Sequence, residues 1–219
     1  MNYRIMLIHG FRRTAKDMKP LENNLKSMGY QVETPEFPLT FNKMSFSMDI
    51  LRKKLLSLKN ESAMEEIVLI GYGLGGVLIE KTLQDDEIGA IVDKIILVAS
   101  PARDSVIRRR LKRMFPLLDK IYKPLRMLKK GKKFIINNPK TEIGVIIGTE
   151  PCGIFTKWLG EQSDGVFRAS ECTLPNAKDT LFLPLIYKEI HKNIGTAKYI
   201  SEFITKGVFS RQSIVNQQN

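Results

Sequence analysis

The chain has 219 residues, of which 43% are hydrophobic, 26% charged and 8% aromatic, the make-up of one globular domain. Disordered, collagen-like and fibrous classes are excluded, and a core of this length buries about 70% of the unfolded surface without cross-links. Lys and Arg number 35 against 23 Asp and Glu, a net charge of +12 that predicts an acidic partner wherever it is clustered. Cys152 and Cys172 form neither a disulfide framework nor a zinc ligand set and are expected as reduced thiols. No metal or cofactor motif is present. No run reaches the ~18 apolar residues of a membrane span. Residues 1–10 are too short and too soon broken for a secretory signal, so the cytoplasm is the expected location.

In chain order, Arg4 to His9 reads as a first core strand ending at Gly10. Lys16 to Met28 follows as a helix, with Met18, Leu21, Leu25 and Met28 at three- and four-residue spacing and Gly29 as its stop. Tyr30 to Thr34 is a second strand, Met48 to Leu58 a helix, and Glu65 to Ile70 a strand that stops at Gly71. Leu74 to Gln84 is a helix, and Ile91 to Ala99, Ile143 to Ile147 and Thr180 to Leu185 are strands. Lys192 to Lys206 closes the domain as a helix ending at Gly207, and the tail 208–219 is expected to fray. Short β-branched runs alternating with helices predict a three-layer α/β/α sandwich with a mostly parallel sheet over residues 1–207. Ligands on such sheets sit at the carboxyl ends of the strands.

The strand Ile67-Val68-Leu69-Ile70 runs into Gly71-Tyr72-Gly73-Leu74-Gly75-Gly76 and an apolar helix. This has the context of a nucleophile elbow, Gly-x-Ser-x-Gly, with Gly73 at the place of the serine. The outer glycines fit the close chain approach such an elbow needs. A phosphate-binding turn is the other reading of such a glycine-rich stretch, but neither a G-x-G-x-x-G order nor a Walker pattern is present.

With these residues the chain resembles the small bacterial lipases and esterases of the α/β-hydrolase fold, over most of its length from Ile5 to Gly207. Ile8-His9-Gly10-Phe11 looks like the His-Gly turn after the first core strand. The resemblance implies an oxyanion hole formed by the backbone N–H groups of Phe11 and Leu74. Gln162-Ser163-Asp164-Gly165-Val166-Phe167 looks like the turn that carries the triad aspartate, which implies Asp164 for that role. Family spacing, counted back from Phe203 and Gly207, puts the histidine position at Tyr187, with His191 four residues on as the alternative base. The resemblance therefore implies the fold and one triad member, while Gly73 and Tyr187 depart from it. A triad needs a hydroxyl, a base and an orienting carboxylate. His9, the other histidine, lacks partners for a metal site and is expected in a structural hydrogen bond.

Between Arg103 and Lys133 lie thirteen basic residues and two acidic ones, so this stretch carries +11 of the chain's +12. The basic residues include Arg108, Arg109, Arg110, Lys112, Arg113, Lys129, Lys130, Lys132 and Lys133, interleaved with apolar ones and broken by Pro116 and Pro124. Residues 101–140 fall where α/β hydrolases insert a lid. One reading is a lid over the protein's own pocket with solvated charges, and the other is contact with an anionic membrane surface. Nucleic acid is disfavoured because no helix-turn-helix, RNP-type aromatic pair or zinc module accompanies the charge.

Two functions are expected from different classes. In the first, the chain has lost serine-hydrolase activity and binds a small acyl or lipid-like ligand or an anionic membrane, with no cofactor. In the second it is a working ester hydrolase with a rearranged triad, such as His191 with Ser105 or Ser170.

Overall fold

Residue alternation along each strand divides the molecule into two cores, one on each face of a single sheet. The computed structural model describes residues 2–61, 65–102, 109, 113, 121–124, 136, 138–153, 156–160 and 162–210. Six strands, β1 (Tyr3–Ile8), β2 (Gln31–Glu33), β3 (Glu66–Tyr72), β4 (Lys94–Val98), β5 (Glu142–Gly148) and β6 (Asp179–Leu183), pair in parallel in the order β2-β1-β3-β4-β5-β6. Met6, Ile8, Leu69, Leu97 and Val145 face one side, against α2 (Met44–Glu61) and α3 (Leu74–Thr82). Ile5, Leu7, Val68, Ile70 and Ile146 face the other, against α1 (Lys19–Ser27) and a C-terminal helix over Ile194–Lys206. Strands buried on both faces account for the unbroken apolar runs in the sequence.

Shorter helices lie at the connections: α4 (Asp86–Gly89), α5 (Thr156–Leu159), α6 (Ala169–Cys172) and α7 (Tyr187–Ile190), which makes the C-terminal helix α8. The expected three-layer fold is present, with local shifts at the boundaries. The first expected helix starts as a 3₁₀ turn over Ala15–Met18, and Pro20 then sits in the opening turn of α1, where a missing N–H costs nothing. Strand β4 begins at Lys94 rather than Ile91, because the N–H groups of Ile91 and Val92 are taken by Ile88 and Gly89 of α4. Asn193 caps α8 by accepting from the Gly195 N–H, so that helix begins two residues later than its apolar pattern predicts.

The tail does not fray at once after Gly207. Phe209 is buried, stacks on Phe203 at 4.9 Å and donates its N–H to Asp179, while the Ser210 N–H goes to Glu202. Residues 211–219 lie outside the described residues, as does most of the basic segment. Of its named members Arg109 and Arg113 are described, both exposed, whereas Arg108, Arg110, Lys112, Lys129, Lys130, Lys132 and Lys133 are not.

Candidate functional site

The carboxyl end of β3 turns sharply into α3 through Gly73, whose φ of 53° and ψ of −121° are open to glycine and strained for any residue with a side chain. Main-chain atoms crowd the flanking glycines. A Cβ on Gly71 would stand 2.6 Å from the Gly76 Cα, and one on Gly75 would stand 2.3 Å from the Ile8 carbonyl oxygen. These contacts are the physical reason for the outer glycines of the elbow. At the central position the obstacle is different: a Cβ on Gly73 would lie 2.1 Å from the Tyr187 hydroxyl and 3.2 Å from Cζ of that ring. The same hydroxyl lies 3.2 Å from where a Gly10 Cβ would be. The Tyr187 oxygen thus fills the space in which an elbow side chain would begin.

Several contacts fix Tyr187 there. Its N–H donates to the Asp164 carbonyl at 2.8 Å, and its carbonyl accepts from the Tyr72 hydroxyl at 2.8 Å. Its ring stacks on Tyr72 at 4.7 Å and meets Phe167 edge-on at 5.7 Å. Burial, together with the charge of Asp164, pushes the Tyr187 phenol above its usual range. It is a hydroxyl donor at neutral pH.

Asp164, 1% exposed, turns the chain ahead of Gly165, which takes φ 87°. One carboxyl oxygen accepts the N–H groups of Val166 at 2.8 Å and Phe167 at 2.7 Å, the Asx arrangement that stabilises such a turn. Desolvation outweighs those hydrogen bonds and raises its pKa to about 7, with the charge of Glu171 adding to the rise.

His191 lies elsewhere. Its ring is fully buried and sits 4.2 Å from Tyr72, the residue that also stacks on Tyr187. Tyr72 thus touches both rings, and no hydrogen bond joins His191 to Tyr187 among the described residues. Neither ring nitrogen makes a hydrogen bond. Burial, then the charges of Arg13 and Lys192, push its pKa down to about 4, with Asp17 working the other way. Among the described residues it bonds to no serine; Ser170 is exposed on α6, and Ser105 lies outside them. His9 is fully buried, accepting the Phe37 N–H on Nε2 at 3.0 Å, which leaves Nδ1 to donate to the Gly10 carbonyl at 3.1 Å.

Phe11 and Leu74 each follow one of the two turns that meet at the Tyr187 hydroxyl, Gly10 and Gly73. Tyr122, from the basic segment, packs edge-on against Phe11 at 5.2 Å and stacks on Phe41 at 5.7 Å. The rim is apolar and open: Phe41 is 59% exposed and Ile121 55%. Next to it Arg12 holds a φ of 54°, and Arg13 pairs with Asp17 while its charge is felt at Tyr72 and Tyr187.

Sequence reasoning brings Gly73, Tyr187, Asp164, Phe11 and Leu74 to one end of the sheet, and the structure gathers them there. It misses Tyr72 and Phe167, which hold the Tyr187 ring. No sequence pattern marks them, because which rings meet is set by tertiary packing. Among the described residues no group of His, Cys, Asp and Glu could hold a metal ion, and no helix is long and apolar enough to cross a membrane.

No protein-family model matches the chain, and no curated protein sequence does. Solved structures do. A Bacillus licheniformis lipase in its propeptide form superposes with a TM-score of 0.80 at 15% identity over 98% of this chain. The chain spans only 52% of that protein's length. The mature form of that lipase gives 0.71 at 17% identity, over 93% of this chain and 91% of the other. A metagenomic carboxyl esterase gives 0.75 at 12% identity, over 94% and 76%. At these identities the likeness is one of fold.

Proposed function

We propose, from the α/β-hydrolase fold as premise, that this lipase- and esterase-like chain has lost serine hydrolysis at its elbow and holds an acyl or lipid-like ligand there. The observation that carries this reading is the Tyr187 hydroxyl, 2.1 Å from where a Gly73 side chain would begin. Acyl transfer by this route needs a nucleophilic hydroxyl, a base to take its proton and a carboxylate to orient the base. Gly73 supplies no hydroxyl, and a phenol raised above its usual pKa is no base. Loss of one triad member already costs several orders of magnitude in rate. What is kept is the strained turn, the buried Asp164 and an apolar rim of Phe11, Tyr122 and Phe41, which suit binding without turnover.

Labelling with a serine-reactive fluorophosphonate, followed by mass mapping, tests the reading. The unmodified chain should not label. Gly73→Ser alone should label poorly, since the new side chain and the Tyr187 hydroxyl compete for one space. Gly73→Ser with Tyr187→His should label at position 73. Labelling of the unmodified chain at any serine would overturn the proposal in favour of an active ester hydrolase with a rearranged triad.

The basic segment is part of the same proposal. Its +11 and the exposed Phe41 and Ile121 beside Tyr122 suit attachment to an anionic membrane surface, with the elbow end of the sheet toward the lipid.

A further inference from the structure

We infer that the loop between β2 and α2, together with the first turn of α2, enters the acyl layer of an anionic membrane through Phe41 and Phe46, while neighbouring basic side chains hold the lipid headgroups. The inference rests on the membrane-attachment reading and deepens it, from charge attraction at a surface to insertion by named side chains.

Three contacts fix which end of the molecule carries these residues. Phe41 stacks on Tyr122, and Tyr122 meets Phe11, which follows the carboxyl end of β1. Helix α2 starts at that end and runs back along the sheet, because Glu61 at its close pairs with Arg4 at the amino end of β1. Its opening turn, with Phe46, therefore lies at the elbow end, and Leu56 lies about 15 Å farther along the helix axis. Packing gives no reason for a phenylalanine at position 46. The buried seam of α2 is Met44, Ser47, Leu51, Leu55 and Leu58, and Phe46 stands off that seam, 54% exposed. One such ring would be ordinary. Here Phe46, Phe41 and Ile121 are all more than half exposed, and Arg12, Lys43 and Lys123, each exposed, are interleaved with them. The exposed acids closest in sequence to Phe41 and Phe46 are Glu36 and Asp49, and Glu36 is engaged by His9 and the Ala15 N–H. Apolar tips among cations match the order of an anionic bilayer, charged headgroups over apolar chains. Charge draws the surface to the headgroups and fades as salt screens it. Apolar area taken out of water holds it there when the charge is screened.

Co-sedimentation of the full chain with vesicles containing phosphatidylglycerol, at low and at high salt, tests the inference. The unmodified chain should keep part of its binding at high salt. Phe41→Ser and Phe46→Ser should each weaken partition about fivefold, the effect of returning roughly half a phenylalanine side chain to water. Leu56→Ser, at a position 43% exposed on the same helix, should change it less than twofold. Depth is read separately with Phe46→Trp and Leu56→Trp, each compared with the unmodified chain and its Trp158. Lipids brominated on the acyl chain should quench the tryptophan at position 46 and spare the one at 56. Equal quenching at both, or binding that vanishes at high salt and ignores both serine changes, would overturn insertion while charge attachment stood. No binding of the unmodified chain to these vesicles would remove the membrane reading itself and leave the patch to an acidic protein. Should a serine variant melt far below the unmodified chain, the tryptophan pair, which keeps a large apolar side chain, decides alone.

Discussion

Replacing Gly73 by Ala tests whether the Tyr187 hydroxyl holds the space described. Two separate costs follow from the geometry. A φ of 53° with ψ −121° costs a side-chain-bearing residue about 1–3 kcal/mol. A Cβ 2.1 Å from a hydroxyl on a clamped ring must also push that ring aside, an overpacking cost of about 1–3 kcal/mol. The single variant should therefore lose about 2–6 kcal/mol, against the ~5–15 kcal/mol of a typical domain. Tyr187→Phe removes the offending oxygen and leaves Cζ at 3.2 Å, a contact that a few tenths of an ångström relieves. In the double variant the backbone cost remains and most of the steric cost goes. Urea melts of the four proteins should then give a coupling of about 1–3 kcal/mol, with the double variant more stable than additivity predicts. Additive effects within about 0.5 kcal/mol would refute the reasoning, because they would mean that the hydroxyl is not where a side chain at position 73 must go.

Two buried groups should set opposing slopes of stability with pH. His191 has a folded pKa of about 4 against 6.5 when free, so only the unfolded chain gains its proton as pH falls through 6.5. Stability should drop from pH 6.5 to 4 by about 3 kcal/mol at most. Asp164, at about 7 folded against 3.8, keeps a proton that the unfolded chain loses, so its effect is a fall in stability as pH rises from 3.8 to 7. His191→Phe keeps a ring on Tyr72 and removes the first slope. The difference between its stability curve and that of the unmodified chain, measured from pH 7 to 4, should grow from near pH 6.5 downward; parallel curves would show that His191 is not held neutral. For the membrane surface, co-sedimentation should show binding to vesicles containing phosphatidylglycerol but not to phosphatidylcholine alone, weakened by added salt. Equal binding to both, or to neither, would count against it.

The fold is legible in the sequence because strands buried on both faces leave runs that no other element explains, as in Ile67 to Ile70 and Ile143 to Ile147. The elbow is legible because main chain meets main chain at Gly71 and Gly75, and only glycine tolerates that. Asp164 and Tyr187 are found through a resemblance in spacing, and both lie at the expected end of the sheet. What spacing does not carry is which of two nearby side chains reaches the turn. Tyr187 and His191 are one helical turn apart and both pack on Tyr72, yet only the Tyr187 hydroxyl reaches the Gly73 turn. The start of β4 and the docking of Phe209 are likewise set by tertiary partners, Ile88 and Gly89 in one case and Phe203 and Asp179 in the other.

On the proposed reading that serine hydrolysis was lost, the shared space of Gly73 and Tyr187 also limits the routes by which sequence change could regain it. A serine returned to position 73 meets the phenol already in residence, and a histidine returned to position 187 finds no hydroxyl to deprotonate. Neither single step gives selection anything to favour, and the first carries a folding penalty of its own. On that reading packing works as a latch, since a substitution at either position gains nothing while the other residue stays.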